Sequence, residues 1–472
     1  MKKYDVVGVG LGPAGMTAAV ELAEIGLNVA VFDENARPGG QKYRQTPPAF
    51  SWTDGRAIGV DDRAGRRLIE RFNRAAGAMT IFQDTAIWGI FDGCQLAFHR
   101  NQTGDSVAFE KLILCEGACE RVVPFPGWTL PGVMTLGALQ KFALHQSLLP
   151  GQRILLSGSG PLLLAVAAEL LSAGAERLTV CEASNLKGKF GLMRELLANK
   201  DLLFEAVSYL VPVLRRLTSI RRSHTVVAAR GDGRVEEVDI VRLDDNWQPL
   251  AGSRQTLPVD VVGLGFGFQP MARLCRLAGC ALTFDTLQRA FKPVVDDFMR
   301  TSVTNVYAAG DSTGIGGAKM AAVEGRIAAC QIATEFGRIS TADRDLTLAG
   351  LDLEKKKIGR YMACLDKMFT PRRGIFNIVT EDTVVCRCEE ANAGDIWDAI
   401  ENRHLNLNAI KKRTRLGMGP CQGKTCETVA AELALRAGVS PGELGSLNVR
   451  TPVTPLPMAV MAAYSDIDEG TV

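Results

Sequence analysis

The sequence predicts an α/β protein in which two copies of one β-α-β unit precede a small module with four cysteines. The turn Gly10-Leu11-Gly12-Pro13 recurs later in the chain as Gly158-Ser159-Gly160-Pro161. Each copy follows a short apolar strand and opens a helical run rich in alanine and leucine, and a second strand ending in an acid comes next. Two such units predict two Rossmann-like, dinucleotide-binding domains. The cysteines, spaced as Cys386-x-Cys388 and Cys421-x₄-Cys426, predict a further domain near the C-terminus.

The composition of the 472 residues is ordinary for a globular protein and leaves room for several domains. Lys+Arg (54) nearly balance Asp+Glu (52), so no global field favours nucleic acid as a partner. No apolar stretch is long enough for a transmembrane helix, and Asp5 and several glycines interrupt the apolar run after Met1, unlike a secretory signal. Twelve cysteines in such a chain favour reduced thiols or metal ligands. We therefore expect a cytoplasmic protein, with peripheral membrane association as the alternative.

The first glycine turn has the spacing of a dinucleotide fingerprint, Gly10-x-Gly12-x-x-Gly15. The first glycine permits the tight turn, the second lets backbone NH groups approach a pyrophosphate, and the third lets helix and strand pack closely. Asp33, after the next strand, is placed to accept hydrogen bonds from an adenosine ribose. An ordinary glycine turn is the alternative, and the ordered succession of strand, turn, helix, strand and acid disfavours it. The residues predicted to bind the cofactor here are Gly10, Gly12, Pro13, Ala14, Gly15, Asp33 and Glu34.

A distant segment favours FAD over NAD at this site. A predicted strand ends in Gly310-Asp311, and it resembles the segment that brings a carboxylate to the ribityl chain in flavoproteins with two dinucleotide domains. The motif Pro38-Gly39-Gly40-Gln41 resembles the loop that these proteins lay along the flavin. A helix N-cap is the alternative role for Asp311. Further residues predicted to bind FAD are Gly40, Gln41, Ala86, Gly117, Gly310 and Asp311.

The second glycine turn is a weaker fingerprint, because Leu163 stands where the third glycine is expected. A bulky side chain there should push the helix away from the strand and narrow the approach to a pyrophosphate. Gly158, Gly160 and Glu182 are still predicted to contact a nucleotide, with Glu182 on an adenosine ribose. NADH, a different adenine nucleotide and no ligand at all stay open as alternatives. No arginine cluster directly follows Glu182, which disfavours NADP.

Four cysteines, Cys386, Cys388, Cys421 and Cys426, are predicted to ligate iron in a [2Fe–2S] cluster. Structural zinc usually uses Cys-x₂-Cys knuckles, so the single residue within the first pair disfavours zinc, which stays an alternative together with another type of Fe–S cluster. The spacing and the glycine-rich context of the second pair resemble the bacterioferritin-associated-ferredoxin-like (BFD-like) [2Fe–2S] domain. Glycines there let backbone NH groups reach sulfur.

The rest of the chain offers no recognisable constellation for substrate chemistry. None of the four histidines sits in a motif, no general base or nucleophile stands out, and no Cys-x-x-Cys occurs. The other eight cysteines, among them Cys115, Cys119, Cys275 and Cys280, are predicted to be structural. We therefore predict no catalytic residue on this chain and expect substrate oxidation on a partner.

The order of these motifs resembles that of a known family over essentially the whole chain. Between the two glycine turns, residues 124–133 read Pro-Phe-Pro-Gly-Trp-Thr-Leu-Pro-Gly-Val. The other motifs in this order are the FAD fingerprint, Pro-Gly-Gly-Gln, the second turn, Ala-Gly-Asp and the four cysteines. The complete succession resembles that of the α (A-type) subunit of heteromeric amino-acid dehydrogenases and oxidases. The group includes opine oxidases, hydrogen cyanide synthase, and proline or hydroxyproline dehydrogenases.

The resemblance implies an electron relay within a heteromeric enzyme. A β subunit, itself a flavoprotein of the D-amino-acid-oxidase type, would oxidise the amine, and this chain would pass electrons through FAD and the cluster to a quinone or a soluble carrier. Some members hold FMN at the subunit interface, which makes FMN a further candidate cofactor. The chain departs from the family at two places. One is Leu163, and the other is Glu116, in the triplet Cys115-Glu116-Gly117, where members commonly read Ala-Thr-Gly. An acid is unfavourable beside phosphates, so Glu116 should face elsewhere or alter the affinity for flavin.

The motifs and the prolines between them predict five segments. The fold class is therefore two dinucleotide-binding domains of the two-domain flavin reductase type plus a small helical [2Fe–2S] domain. The predicted bounds are 1–122 with 286–340 for a discontinuous FAD-binding domain, 123–285 for the second dinucleotide-binding-like domain, 341–379 for a helical linker, 380–440 for the BFD-like domain and 441–472 for an extended tail.

Two rival functions compete with the relay. In the first, the second domain binds NADH and reduces the flavin, so that the chain is a self-sufficient oxidoreductase. In the second, the flavin and the cluster only stabilise a complex, and the chain is a structural scaffold.

Overall fold

The computed structural model describes residues 1–45, 63–146, 148–185 and 219–468. In chain order, the strands in these ranges are β1 Lys2–Val9, β2 Val29–Phe32, β3 Thr80–Phe82, β4 Ala86–Phe91, β5 Gln95–Arg100, β6 Thr103–Leu114, β7 Ala118–Glu120, β8 Val133–Thr135, β9 Arg153–Gly158, β10 Arg177–Glu182, β11 Ser219–Arg222, β12 His224–Arg230, β13 Glu237–Arg242, β14 Gln255–Pro258, β15 Val261–Gly265, β16 Phe268–Pro270, β17 Leu282–Asp285, β18 Ala290–Pro293, β19 Val306–Ala308, β20 Val384–Cys386 and β21 Ala391–Asn392.

The α-helices in the same ranges are α1 Pro13–Glu24, α2 Arg63–Ala75, α3 Leu136–Gln140, α4 Pro161–Ser172, α5 Arg273–Leu277, α6 Gly317–Glu335, α7 Thr341–Phe369, α8 Ala393–Glu401, α9 Leu407–Thr414, α10 Cys426–Arg436, α11 Pro441–Leu444 and α12 Met458–Asp468. Short 3-10 turns cover Ala76–Ala78, Asp311–Thr313 and Arg373–Ile378. Among the helices of these ranges, none is long and apolar enough to cross a membrane.

The first sheet positions the first glycine turn. Its strand order is β3-β2-β1-β6-β5-β4, and β19 pairs with β6. The strands β2, β1, β6 and β19 run parallel, and β1 is buried on both faces along most of its length, as central parallel strands require. Because β1 and β19 end at the same edge, the turns that follow them meet. A Cβ on Gly310 would lie 3.0 Å from the Cβ of Ala14.

The second sheet repeats this arrangement around the second glycine turn. Its order is β11-β10-β9-β15-β8, and all its described pairings are parallel. Leu163, on α4, is fully buried in the apolar core between this sheet and its helices. Its side chain therefore fills part of the core. A glycine at this position would leave that volume empty. The antiparallel sheet β12-β13-β14 packs beside β9 and β10.

The apolar pattern of residues 352–369 predicts a helix over that range, and the observed helix α7 is longer. It begins at Thr341, where the Ser340 hydroxyl caps it by accepting a hydrogen bond from the amide of Asp343. Leu346 and Leu353 are exposed, so the first half lacks the apolar periodicity that marks the second half. The helix ends before Pro371, since the residue preceding a proline is pushed into extended backbone.

The cysteine module shares a continuous core with the second sheet. Side chains of α8, α9 and α10 belong to the same buried cluster as those of β12, β13 and β15. The indole Nε1 of Trp128 donates to the carbonyl of Val384 at 2.6 Å, directly before the first cysteine pair. Two ion pairs also cross this contact, Arg276 with Glu427 and Arg289 with Glu432. The module is therefore packed rigidly against the body of the protein.

The prediction of a wholly extended tail over 441–472 is wrong. Residues 458–468 form α12, and α11 covers Pro441–Leu444. Pro452, Pro455 and Pro457 keep the intervening chain irregular, but alanine and methionine, which favour helix, follow the last proline. The tail lies over the first sheet, where Val453 donates to the carbonyl of Trp88 at 3.0 Å.

We expect Glu432→Ala to lower the free energy of unfolding by about 3–5 kcal/mol, because it leaves a buried guanidinium without its charge partner. Only 2% of the Glu432 side chain and 14% of the Arg289 side chain is exposed. Chemical denaturation of the purified chain measures the change.

Asp352→Ala is the matched control, since its pair with Lys356 is exposed and should cost no more than about 0.5 kcal/mol. Equal effects in the two variants would contradict a stabilising role for the buried pair.

Candidate functional site

One large cavity of about 2310 Å³ contains both glycine turns. A site for one small molecule usually measures roughly 300–1,000 Å³, so this cavity has room for more than one group. It brings together most of the predicted site residues, namely Gly10, Gly12, Pro13, Ala14, Asp33, Glu34, Gly40, Gln41, Ala86, Gly117, Gly160, Glu182, Gly310 and Asp311. Gly15 and Gly158 do not line it, because each is packed beneath its turn.

The first turn is a backbone cradle that only glycine can form. Gly10 has φ +97°, and a Cβ there would lie 2.3 Å from the carbonyl oxygen of Cys115. A Cβ on Gly15 would lie 1.8 Å from the carbonyl oxygen of Gly10, so α1 packs directly on the turn. A Cβ on Gly40 would lie 2.8 Å from the Cα of Gly12. The two segments thus expose bare backbone to the cavity, as a pyrophosphate site requires.

The two acids after β2 face different partners. The Asp33 carboxylate accepts hydrogen bonds from the Leu11 amide at 2.5 Å and from the Asn35 amide at 2.7 Å. Asp33 therefore connects the glycine turn to the end of β2 by hydrogen bonds, and it also lines the cavity. Glu34 is exposed and lines the same cavity. Of the two, Glu34 has the freer carboxylate for a ribose.

Asp311 lies at the opposite wall, at the start of the segment before α6. Its Oδ1 accepts hydrogen bonds from the amides of Gly316 and Gly317 at 3.0 and 2.9 Å. Burial raises the pKa of this carboxyl, and those two hydrogen bonds oppose the shift. The alternative role predicted for Asp311, an N-cap, thus describes part of its bonding. Its second oxygen stays available to a ligand.

Glu116 lines the cavity, but its carboxylate is engaged by a helix of the protein. Its Oε1 accepts from the amides of Leu274 and Cys275, at 2.9 and 3.2 Å, at the start of α5. Burial raises the pKa of Glu116, and these hydrogen bonds lower it. The acid therefore caps a helix, which relieves the conflict with phosphates.

The second turn keeps the acid and is contacted by a neighbouring helix. Glu182 accepts a hydrogen bond from the Gly160 amide at 3.2 Å, and burial raises its pKa to about 7. Phe369, at the end of α7, lies against the turn, and a Cβ on Gly160 would be 3.7 Å from the Cβ of Phe369. Phe369 also lines the cavity, whereas Leu163 does not.

We expect Glu169→Gln to stabilise the folded chain at pH 8 and to change little at pH 5. Glu169 lines the cavity, accepts from Gln140, and has a pKa raised to about 7 by burial. Between its ordinary pKa of 4.5 and about 7, the folded carboxyl retains a proton that the unfolded chain has released. Stability therefore falls as pH rises through this window, by about 1–3 kcal/mol in total.

Denaturation at the two pH values measures this difference. The exposed Glu354→Gln is the matched control and should behave as the wild type at both. A Glu169→Gln variant with the same pH dependence as the wild type would contradict the assignment.

The four predicted ligand cysteines meet as two pairs. The thiols of Cys386 and Cys426 are neighbours, and so are those of Cys388 and Cys421. The neighbouring Cys426 thiol is the main cause that lowers the pKa of Cys386 to about 5, and the backbone NH of Gly417 adds to it. The glycine-rich context thus brings an amide to sulfur.

The four cysteines supply the ligand chemistry of a [2Fe–2S] cluster. In the described part of the chain, no group of three or more His, Cys, Asp or Glu side chains has the geometry of a metal site. A tetrahedral zinc site needs four ligands around one point, whereas a [2Fe–2S] cluster distributes four thiolates over two irons. Gly419 permits the close approach of the two segments, since a Cβ there would lie 2.3 Å from the Cβ of Cys388.

The loop between Cys421 and Cys426 forms part of the wall of the large cavity. Lys424 lines the cavity, and its carbonyl accepts hydrogen bonds from Gln269 Nε2 at 2.5 Å and from the Cys119 thiol at 3.4 Å. The cysteine module and the glycine turns are therefore parts of one site.

Several residues of this site escape sequence reasoning. Cys119 is predicted to be structural, yet it lines the cavity and contacts the cysteine loop. Gln269 and Phe369 belong to no motif and reach the site from strands and helices distant in the chain. The apolar periodicity of α7 marks Phe369 only as a core residue.

Comparisons with known proteins assign the two parts of the chain. Residues 4–337 match the pyridine nucleotide-disulphide oxidoreductase family, and residues 380–465 match the sarcosine oxidase A3 domain. The A-type subunit of opine oxidase from Rhizobium meliloti is 35% identical over 97% of this chain and 87% of its own length. The chain belongs to the family of opine oxidase A-type subunits. The HcnB subunit of hydrogen cyanide synthase from Pseudomonas aeruginosa is likewise 35% identical, over 96% of this chain and 97% of its own.

A solved structure shares the fold of this member of the opine oxidase family. The crystal structure of L-proline dehydrogenase from P. horikoshii superposes with a TM-score of 0.70 over 97% of this chain and 79% of that chain, at 19% identity. The predictions of the fold class, of the family and of an oxidoreductase are confirmed. The domain bounds and the individual site residues stay predictions.

Proposed function

We propose that this chain is the electron-transfer flavoprotein subunit of a heteromeric amino-acid, imino-acid or opine dehydrogenase. A catalytic flavoprotein partner delivers electrons, which pass through FAD and a [2Fe–2S] cluster to a respiratory or soluble acceptor. The observation that carries the proposal is the position of Lys424, in the loop between two cluster cysteines and on the wall of the cavity that holds the first glycine turn. The two redox groups are then neighbours.

The chain's residues fit both groups. The backbone cradle of Gly10, Gly12 and Gly40 would take the FAD pyrophosphate, with Glu34 on the ribose and Asp311 on the ribityl chain. Lys42 and Arg44 line the cavity nearby and favour phosphates. Cys386, Cys388, Cys421 and Cys426 would ligate iron. Flavin accepts electrons in pairs and the cluster passes them singly, so this chain would connect two-electron and one-electron chemistry.

The names of the relatives support a partner protein. The related proteins are subunits of opine oxidase and of hydrogen cyanide synthase, and a more distant one is the alpha subunit of sarcosine oxidase. Two of the chain's histidines, His99 and His224, each contact a nearby backbone carbonyl in the described structure. We propose a partner of the D-amino-acid-oxidase type, FMN at the interface, and a cytoplasmic location with peripheral membrane association as the alternative.

The rival NADH-dependent function is disfavoured by Phe369. Phe369 lies at van der Waals distance from a Cβ at Gly160, so a pyrophosphate at this turn would have to share the space with that side chain. An adenine nucleotide held mainly by Glu182 remains compatible with this arrangement.

Anaerobic titration of the purified complex tests the proposal. The chain is co-expressed with its flavoprotein partner, and opine, sarcosine and proline are each added while the visible spectrum is recorded. We expect one class of substrate to reduce both flavin and cluster, and NADH to reduce neither. Rapid reduction of the isolated chain by NADH, or recovery of the chain from its native host without a flavoprotein partner, would overturn the proposal.

A further inference from the structure

We propose that Gln269 is a positioning residue that holds the cluster-binding loop 421–426 at the wall of the flavin cavity. The inference rests on the proposed relay function, which requires the two redox groups to be neighbours. It concerns a residue in β16 that belongs neither to the glycine turns nor to the cysteine module.

The Gln269 side chain contacts one residue before and one residue after Cys426 in the sequence. Its Nε2 donates to the Lys424 carbonyl at 2.5 Å, and its Oε1 accepts from the Thr428 hydroxyl. The same Nε2 also lies 3.3 Å from the Cys119 sulfur. One side chain thus fixes the residue two before Cys426 and the residue two after it.

The orientation of the amide is fixed by chemistry. The Lys424 carbonyl can only accept a hydrogen bond, so the NH₂ group must face it, and the oxygen is left for the Thr428 hydroxyl. Gln269 is only 5% exposed, so water cannot easily replace these bonds. A buried polar group that loses its hydrogen-bond partner is destabilised, so Gln269 opposes displacement of the loop.

The strand pair that carries Gln269 also forms the cavity wall. In the antiparallel pairing of β16 with β7, Gln269 stands opposite Cys119. Cys119 and Phe268 line the cavity, and Gly117 lines it just before β7. A shift of the loop relative to this strand pair is therefore a shift relative to the flavin site. The Cys119 thiol is a weak donor 3.4 Å from the Lys424 carbonyl, so it restrains the loop less than Gln269 does.

The test compares Gln269→Leu with Gln331→Leu in the full complex. Gln331 lies in α6, far from the loop. Like Gln269 it is only 5% exposed, and it donates a hydrogen bond to Glu335. Iron and flavin content are measured first, then the electron paramagnetic resonance spectrum of the reduced cluster. The rate at which one electron per cluster arrives after flash photoreduction of the flavin is the decisive readout. Hydrogen exchange of the amides in 421–428 reports the position of the loop directly.

We expect Gln269→Leu to retain its cofactors, to exchange faster over 421–428, and to transfer electrons severalfold more slowly, because electron tunnelling through protein weakens with each added ångström between flavin and cluster. Gln331→Leu should match the wild type. Thr428→Val, which removes only the contact to Oε1, should give an intermediate rate, and it decides the question if Gln269→Leu loses its cluster.

A wild-type transfer rate in a cluster-loaded Gln269→Leu or Thr428→Val variant would overturn this inference and leave the relay intact. Loss of the cluster in both variants would also overturn it, because the residues would then hold the cluster itself. Absence of flavin-to-cluster transfer in the wild type would instead overturn the proposed function.

Discussion

Replacing Cys421 with serine is expected to remove the iron–sulfur absorbance and to slow delivery of electrons to an external acceptor by more than about 100-fold, because even the loss of a group that only supports a metal ligand costs about 10- to 100-fold. Flavin content, reduction of the partner by substrate, and binding of the partner should persist. Cys421 is half-buried at the edge of its module, and its thiol pairs with that of Cys388. Steady-state turnover with an artificial one-electron acceptor, and with the natural acceptor where known, measures the loss.

The matched control is Cys94→Ser, which changes an exposed cysteine on the first sheet. It should leave cluster and turnover unchanged. If Cys421→Ser loses the cluster and keeps full turnover with the partner bound, the scaffold function replaces the relay.

A second large effect is expected for Gly15→Ala. The added methyl group would lie 1.8 Å from the carbonyl oxygen of Gly10, so either α1 moves away or the turn opens. Forced overpacking typically costs about 1–3 kcal/mol, and here the obstacle is backbone, which cannot rotate aside. We expect a loss of about 3 kcal/mol in the free energy of unfolding and purification of the chain without flavin.

Gly350→Ala is the control within another helix. Gly350 lies in α7 with nothing near its Cβ position, so alanine should stabilise that helix by up to about 1 kcal/mol. Thermal unfolding and the ratio of flavin to protein distinguish the variants. A flavin-loaded Gly15→Ala protein of normal stability would show that the close approach of α1 to the turn is unnecessary.

Periodic and local features of the fold can be predicted from the sequence. The glycine turns, the strands before them and the acids after them follow from short-range rules, and the fold class and family they predict are confirmed. The ends of α7 and the helix in the tail are harder to predict from the sequence. A half-exposed helix lacks apolar periodicity, and prolines mask a helix that begins immediately after them.

The assembly of the site is harder to predict because it depends on distant contacts. Spacing places both Asp33 and Glu34 near a ribose, but only the structure shows that Asp33 is engaged by the Leu11 amide. Gln269 and Lys424 are 155 residues apart in sequence, and no local pattern relates them. Leu163 illustrates the opposite case, since the sequence identifies the substitution correctly, whereas the contact of Phe369 with Gly160 comes from another element.

The helix α7 has a consequence for how this chain can evolve. At 29 residues it extends for about 44 Å, packing against α6 at one end and the second glycine turn at the other, and the chain then enters the cysteine module. Internal distances between the sites are thus set by one continuous element with the fixed rise of a helix. Substitutions on the outer surface can then change what the chain binds without altering these internal distances.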